Sequence, residues 1–68
     1  MREVDARGLS CPEPVMLTQE ASLTNDDHLE ILVDSKVAQE NVARFLENAG
    51  YKTKIEQQAD HYKVIGRK

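Results

Sequence analysis

The chain contains a single cysteine, Cys11, among its 68 residues. One cysteine excludes an intrachain disulfide. Together with His28 and His61 it also supplies too few ligands, too widely spaced, for a structural zinc site. We therefore expect no bound metal and no cofactor. A chain this short buries only about 60% of its unfolded surface, so its stability depends on a small apolar core.

The sequence also lacks an excess of basic residues and any long apolar run. Its 9 Lys and Arg against 12 Asp and Glu give a net charge of -3, which argues against direct DNA binding. No apolar stretch approaches the roughly 20 residues of a membrane span. Residues 1–5 do not resemble a signal peptide. A free cysteine without export signals predicts a cytoplasmic protein.

Short segments with strand-like and helix-like periodicity alternate along the chain. They predict strands over residues 2–6, 28–33, 51–56 and 61–65. They also predict a helix from residue 12 or 14 to 23. A second helix is predicted to be capped by Asp34 or Ser35, to run to residue 49 and to end at Gly50. The order β-α-β-α-β-β predicts an α/β (α+β) two-layer sandwich, with a four-stranded mixed sheet and both helices on one face. Residues 1–68 are expected to form one domain, and the open sheet face to carry Lys52, Lys54, Glu56 and Lys63.

The lone cysteine stands in the tetrapeptide Cys11-Pro12-Glu13-Pro14, directly before the first predicted helix. The positive end of a helix dipole favours a thiolate, which is the reactive form of cysteine. If the helix starts at Pro12, Cys11 is its N-cap, and the N–H groups of Glu13 and Val15 would face an anion carried on sulfur. The alternative is that Cys11 is an inert, buried apolar residue.

Three neighbours of the cysteine affect this prediction. Gly8 can adopt a positive φ in the loop without steric cost. Arg7 close to the sulfur would lower the pKa of Cys11, whereas Glu13 close to it would raise that pKa. Glu13 pointing into solvent would instead stabilise the helix through its dipole.

Residues 4–15, with the sequence Val-Asp-Ala-Arg-Gly-Leu-Ser-Cys-Pro-Glu-Pro-Val, resemble the opening strand and active loop of the TusA/SirA/YedF family of small sulfur-carrier proteins. That family shares a Cys-Pro-x-Pro motif. Length and element order extend the resemblance over nearly the whole chain. Residues 34–51 look most similar to the YedF-like branch, which is associated with selenium metabolism and often carries a second domain. The chain would then be a stand-alone member or a piece of a longer one.

The resemblance implies that Cys11 is the persulfide site, with Pro12 and Pro14 as its structural frame. A cysteine desulfurase would load sulfane sulfur on Cys11, and an acceptor protein would remove it, with tRNA thiolation reached only indirectly. Such a protein is at most a persulfide-relay sulfurtransferase and turns over no free small molecule. The alternative is a non-catalytic regulatory or interaction module, and selenium in place of sulfur is a third reading.

Two further groups of residues have alternative interpretations. Met16 and Leu23 lie opposite the predicted core face of the first helix, where they would form a partner-docking patch or pack against the neighbouring helix. Lys52, Lys54, Lys63, Arg67 and Lys68 cluster towards the C-terminal hairpin. They form either a basic face for an RNA or an acidic partner, or an ordinary solvated sheet face. His28 and His61 are expected to be solvated surface groups.

Overall fold

The computed structural model describes residues 2–10, 12–24 and 26–68, and its elements follow the predicted order β-α-β-α-β-β. The strands are β1 (Arg2–Asp5), β2 (His28–Val33), β3 (Lys52–Gln57) and β4 (Tyr62–Arg67). The helices are α1 (Glu13–Ser22) and α2 (Lys36–Asn48). No helix within the described residues is long and apolar enough to cross a membrane.

The four strands form one mixed sheet in the order β1-β2-β4-β3. β1 and β2 are parallel, as expected for strands joined by a helical crossover. β3 and β4 form an antiparallel hairpin, and β4 also pairs antiparallel with β2. The hairpin therefore inserts its second strand into the sheet and leaves β3 at the edge.

Alternate residues of the strands build the core. Leu29, Ile31 and Val33 of β2 are fully buried, as is Val64 opposite Ile31 on β4. Both helices contact this side of the sheet and also contact each other. The intervening residues of β2 are only half-buried, because no helix covers the other face. The predicted two-layer arrangement is confirmed.

The first turn of α2 is capped by a serine. The Ser35 hydroxyl oxygen accepts a 3.1 Å hydrogen bond from the backbone N–H of Ala38, which has no acceptor within the helix. The sequence allowed either Asp34 or Ser35 in this role. The structure assigns it to Ser35 and leaves the Asp34 carboxylate for another contact.

The C-terminus of α2 closes on a glycine, as predicted. Gly50 has a φ of +95°, its N–H donates to the Glu47 carbonyl, and the Tyr51 N–H donates to the Leu46 carbonyl. This is the double hydrogen bond of a Schellman motif. Leu46 and Tyr51 both pack against Gly66 of β4, where an added Cβ would lie 3.1 Å from a Leu46 methyl carbon and 3.3 Å from the Tyr51 ring.

Two expectations about side-chain faces need correction. The alternation of residues 51–56 predicts that Tyr51, Thr53 and Ile55 share one buried face. Tyr51 is buried, but Ile55 is 39% exposed, because β3 is an edge strand that α2 covers only in part.

Helical spacing predicts Pro14, Leu17 and Ala21 as the core face of α1. Pro14 and Ala21 are buried, but Thr18 is the third buried residue and Leu17 is only half-buried. The Thr18 hydroxyl donates a 2.8 Å hydrogen bond to the Pro14 carbonyl, so burial leaves no unsatisfied polar group.

Candidate functional site at the loop before helix α1

The loop that follows β1 is attached to the end of β2. Because the two strands are parallel, their carboxyl ends lie at the same edge of the sheet. The Ala6 N–H donates a 2.8 Å bond to the Leu32 carbonyl, which continues the pairing beyond β1. One turn later Gly8 adopts the predicted positive φ, +80°, and its N–H donates a 2.7 Å bond to the Asp34 carboxylate. Asp34 therefore fixes the path of the chain three residues before Cys11.

Asp5 and Arg7 form a second clamp in the same loop. The Arg7 guanidinium donates bonds of 2.9 and 2.8 Å to the two Asp5 oxygens, and the Arg7 backbone N–H adds a bond of 3.1 Å. These contacts lower the pKa of Asp5 to about 2 and raise that of Arg7. The positive charge of Arg7 is thus paired with a carboxylate. Cys11 lies outside the described residues, so the effect of Arg7 on its pKa stays a prediction.

Helix α1 begins at Glu13, one residue later than a helix with Cys11 as its N-cap would begin. Its N-cap is Pro12, which has no side-chain capping bond. The Glu13 N–H donates a 2.9 Å bond to the Ser10 carbonyl, and the Met16 N–H donates a 3.0 Å bond to the Pro12 carbonyl. The condition under which Cys11 would be the N-cap, a helix that starts at Pro12, is therefore not met. The Glu13 N–H is also not free for an anion, because the turn before the helix already uses it.

The residues of the Pro-Glu-Pro segment differ in their surroundings. Pro14 occupies the first turn of α1 and is buried in the core, which anchors the start of the helix. Pro12 and Glu13 are exposed. The position of Glu13 agrees with the alternative in which its carboxylate faces solvent and interacts favourably with the helix dipole.

A shallow cleft is lined by residues that come before and after Cys11 in the sequence. Its volume is about 160 Å³, and it is lined by Leu9, Glu13, Met16, Leu17 and Glu20. The Met16 side chain is 58% exposed, so it does not pack between the helices. Leu23 is 77% exposed but does not line this cleft. Of the two predicted docking residues, the structure brings only Met16 to the cleft.

Asp34 is the site residue that the sequence reasoning missed. Local sequence predicts Asp34 only as a possible cap for α2, whereas its carboxylate reaches back 26 residues to the Gly8 N–H. A signal was present, because Asp34 and the loop of residues 6–8 follow the ends of two strands that a helical crossover makes parallel. Side chains in these positions meet at one edge of the sheet.

The two histidines are paired with carboxylates rather than freely solvated. The His61 Nδ1 lies 2.7 Å from an Asp60 oxygen, a contact that lowers the pKa of Asp60. The His28 Nε2 lies 3.0 Å from a Glu30 oxygen at the opposite end of β2 from the loop. Within the described parts of the chain, no group of three His, Asp or Glu residues is arranged to hold a metal ion.

Three comparisons agree on the relationship of this chain to known proteins. The model of the family described as "Sulfurtransferase TusA" matches residues 2–68. A candidate sulfur carrier protein of Methanocaldococcus jannaschii is 34% identical over 71 residues, covering 100% of this chain and 95% of that protein. The crystal structure of a SirA-like protein from Desulfitobacterium hafniense superposes with a TM-score of 0.85 at 25% identity, covering 98% and 96% of the two chains. The chain therefore belongs to the TusA sulfurtransferase family.

Proposed function

We propose that this protein is a sulfur carrier that accepts sulfane sulfur on Cys11 from a cysteine desulfurase and passes it to an acceptor protein. The observation that carries the proposal is the single cysteine in Cys11-Pro12-Glu13-Pro14, in a chain that belongs to the TusA family. The loop before it supports this role, because bonds to Asp34 and Asp5 hold the backbone of residues 7 and 8. A held loop presents a thiol at one place to two successive partners.

The transfer is a thiol–persulfide exchange that needs no external oxidant or reductant. The Cys11 thiolate attacks the outer sulfur of the donor persulfide. The donor S–S bond breaks, the donor cysteine leaves as a thiolate, and a new S–S bond forms on Cys11. An acceptor thiolate then attacks the outer sulfur on Cys11, which returns to its thiolate form. Neither step involves a net oxidation or reduction.

The cleft beside the loop is suited to a partner that combines an apolar side chain with basic residues. Its apolar lining includes the exposed Met16, which lies between the carboxylates of Glu13 and Glu20. These carboxylates would attract cations on a desulfurase or acceptor surface while Met16 provides an adaptable apolar contact. Neither DNA nor a membrane is needed as a partner, and tRNA is reached only through the acceptor.

The test is the intact mass of the protein after incubation with a cysteine desulfurase and free cysteine. We expect a gain of one sulfur atom that a reductant removes and that Cys11→Ser does not show. The same assay with selenocysteine distinguishes sulfur from selenium, because a gain of one selenium atom would favour the YedF-like branch. Absence of any gain, with a thiol that still reacts with iodoacetamide, would falsify the carrier proposal.

The second candidate function is a non-catalytic interaction module. The exposure of Met16 and Leu23 on α1 supports it, because exposed apolar side chains often mark binding surfaces. A pull-down with the desulfurase separates the two functions. The carrier proposal expects Cys11→Ala to bind but not to accept sulfur, and Met16→Glu to weaken binding. A cellular role that survives Cys11→Ala would favour the module.

A further inference from the structure

The open face of the sheet carries basic residues that the proposed sulfur transfer does not use. Two of the five predicted basic residues have partners: the Lys63 ammonium lies 3.5 Å from a Glu30 oxygen, and that of Lys68 lies 4.9 Å from the centre of the Tyr51 ring. The other three are exposed and form no ion pair with any described residue; they are Lys52, Lys54 and Arg67. We refer to these three residues as the basic corner.

Strand register brings the basic corner together. Arg67 of β4 lies opposite Lys52 of β3, and Lys54 lies opposite Ile65 on the same pair of strands. The three cations surround a shallow depression of about 530 Å³, whose lining includes the half-buried Ile65. The corner therefore presents positive charge around an apolar centre.

The one carboxylate in this depression does not cancel the basic corner. Glu30 is largely buried, and its two oxygens are already bound by His28 at 3.0 Å and Lys63 at 3.5 Å. The three cations of the corner are exposed and unpaired within the described residues, on a chain whose net charge is -3. Two other carboxylates lie near the corner, that of Glu56 along β3 from Lys54 and that of Asp27 beside Arg67, but neither forms an ion pair with the three cations. An approaching anion therefore meets a local excess of positive charge.

We propose that the basic corner docks an acidic segment of a partner protein, with an apolar side chain of that segment against Ile65. A nucleic acid fits this surface less well. The described residues place only three unpaired cations here, and the one aromatic ring in the lining, that of His28, is already paired with Glu30. An acidic protein segment matches both the charge and the apolar centre, because carboxylates can pair with lysine and arginine around a small apolar contact.

The basic corner lies far from the loop that leads to Cys11. That loop follows the carboxyl ends of β1 and β2, whereas Arg67 pairs with His28 at the amino end of β2. A strand of this length separates the two ends by about 17 Å, and the corner is on the face that the helices leave open. An acidic partner can therefore dock while the loop remains accessible to a second protein.

The experiment measures binding of a fluorescein-labelled peptide of alternating Glu and Val by fluorescence anisotropy. A Gln–Val peptide and an oligouridylate of equal charge serve as comparison probes. The protein variants are the double charge reversal Lys52→Glu with Lys54→Glu, and the control Arg44→Glu on the exposed side of α2. Backbone amide chemical shifts of the wild type map where the peptide binds.

We expect the acidic peptide to bind more tightly than both comparison probes. The double variant should weaken this binding by about tenfold or more, and the Arg44→Glu control by less than about twofold. The amide shifts should be confined to β3 and β4, and Cys11→Ser should bind like the wild type, because docking does not involve the thiol.

Three results would overturn the inference. Tighter binding of the oligouridylate would assign the corner to a nucleic acid. Amide shifts on the helix side, or equal binding by the double variant, would remove the corner from the interaction. If the amide shifts at the basic corner change with protein concentration when no peptide is present, a second copy of the chain is its occupant. None of these results changes the outcome of the desulfurase assay. The peptide experiment therefore tests the basic corner alone, and the desulfurase assay tests the sulfur-carrier proposal alone.

Discussion

The carboxylate of Asp34 accepts a 2.7 Å hydrogen bond from the backbone N–H of Gly8, across 26 residues of sequence. This contact joins the end of β2 to the loop that leads into Cys11-Pro12-Glu13-Pro14. Gly8 has a positive φ at this point, so the bond holds a backbone conformation that other residues rarely adopt. The Asp34 side chain is therefore a positioning group for the loop and not a cap for α2.

Removing the Asp34 carboxylate should loosen the loop. We expect Asp34→Ala to lower the free energy of unfolding by about 0.5–1.5 kcal/mol, because the Gly8 N–H loses its partner. Sulfur acceptance in the desulfurase assay should slow severalfold, and the Gly8 amide should exchange faster. The control is Asp27→Ala, which removes another exposed carboxylate away from the loop. Equal amide exchange at Gly8 in both variants would contradict the positioning role.

The Asp5–Arg7 pair should be visible in a pH titration. Asp5 has a pKa of about 2, below its ordinary value of 3.8, so the unfolded chain binds more protons than the folded one in that range. The contribution of the pair to stability is therefore present above about pH 4 and is lost as the pH falls towards 2. An NMR titration of the Asp5 carboxyl group should give this value. Arg7→Gln should raise the pKa towards 3.8, whereas Arg44→Gln should not change it.

Substitution of Gly66 should test the contact between α2 and the sheet. We expect Gly66→Val to lower the free energy of unfolding by about 1–3 kcal/mol, because its side chain would overlap Leu46 and Tyr51. The measurement is urea unfolding, with Lys54→Val as the control for adding a β-branched residue on the open face. If both variants lost the same stability, close packing at Gly66 would not be the cause.

The cap of α2 gives a further stability test. Ser35→Ala should lower the free energy of unfolding by about 1 kcal/mol, because the Ala38 N–H would lose the side-chain oxygen that it donates to. Ser35→Asp keeps an acceptor in the same position and should retain most of the wild-type stability. Thermal unfolding of the three proteins measures the difference. Equal losses for the two variants would show that the hydroxyl oxygen is not the stabilising group.

The sequence was sufficient for the elements and for the class of fold. Leu29, Ile31 and Val33 alternate with half-buried residues, which identifies β2 from its period alone. Gly50 marks the end of α2 because few other residues adopt its positive φ easily. The prominence of Cys11 also came from sequence, since a single cysteine between Ser10 and a double-proline segment stands out without any structure.

Only the tertiary structure decided which residues hold the loop and which basic residues are left without an ion-pair partner among the described residues. Both Asp34 and Ser35 are good capping residues, and local sequence could not show that Asp34 bonds to Gly8, since that contact depends on the parallel pairing of β1 and β2. Strand register likewise decides that Lys63 pairs with Glu30, whereas Lys52 has no ion-pair partner among the described residues. Periodicity fixes which face of a strand a residue occupies, whereas the neighbour that it meets there depends on how distant segments pair.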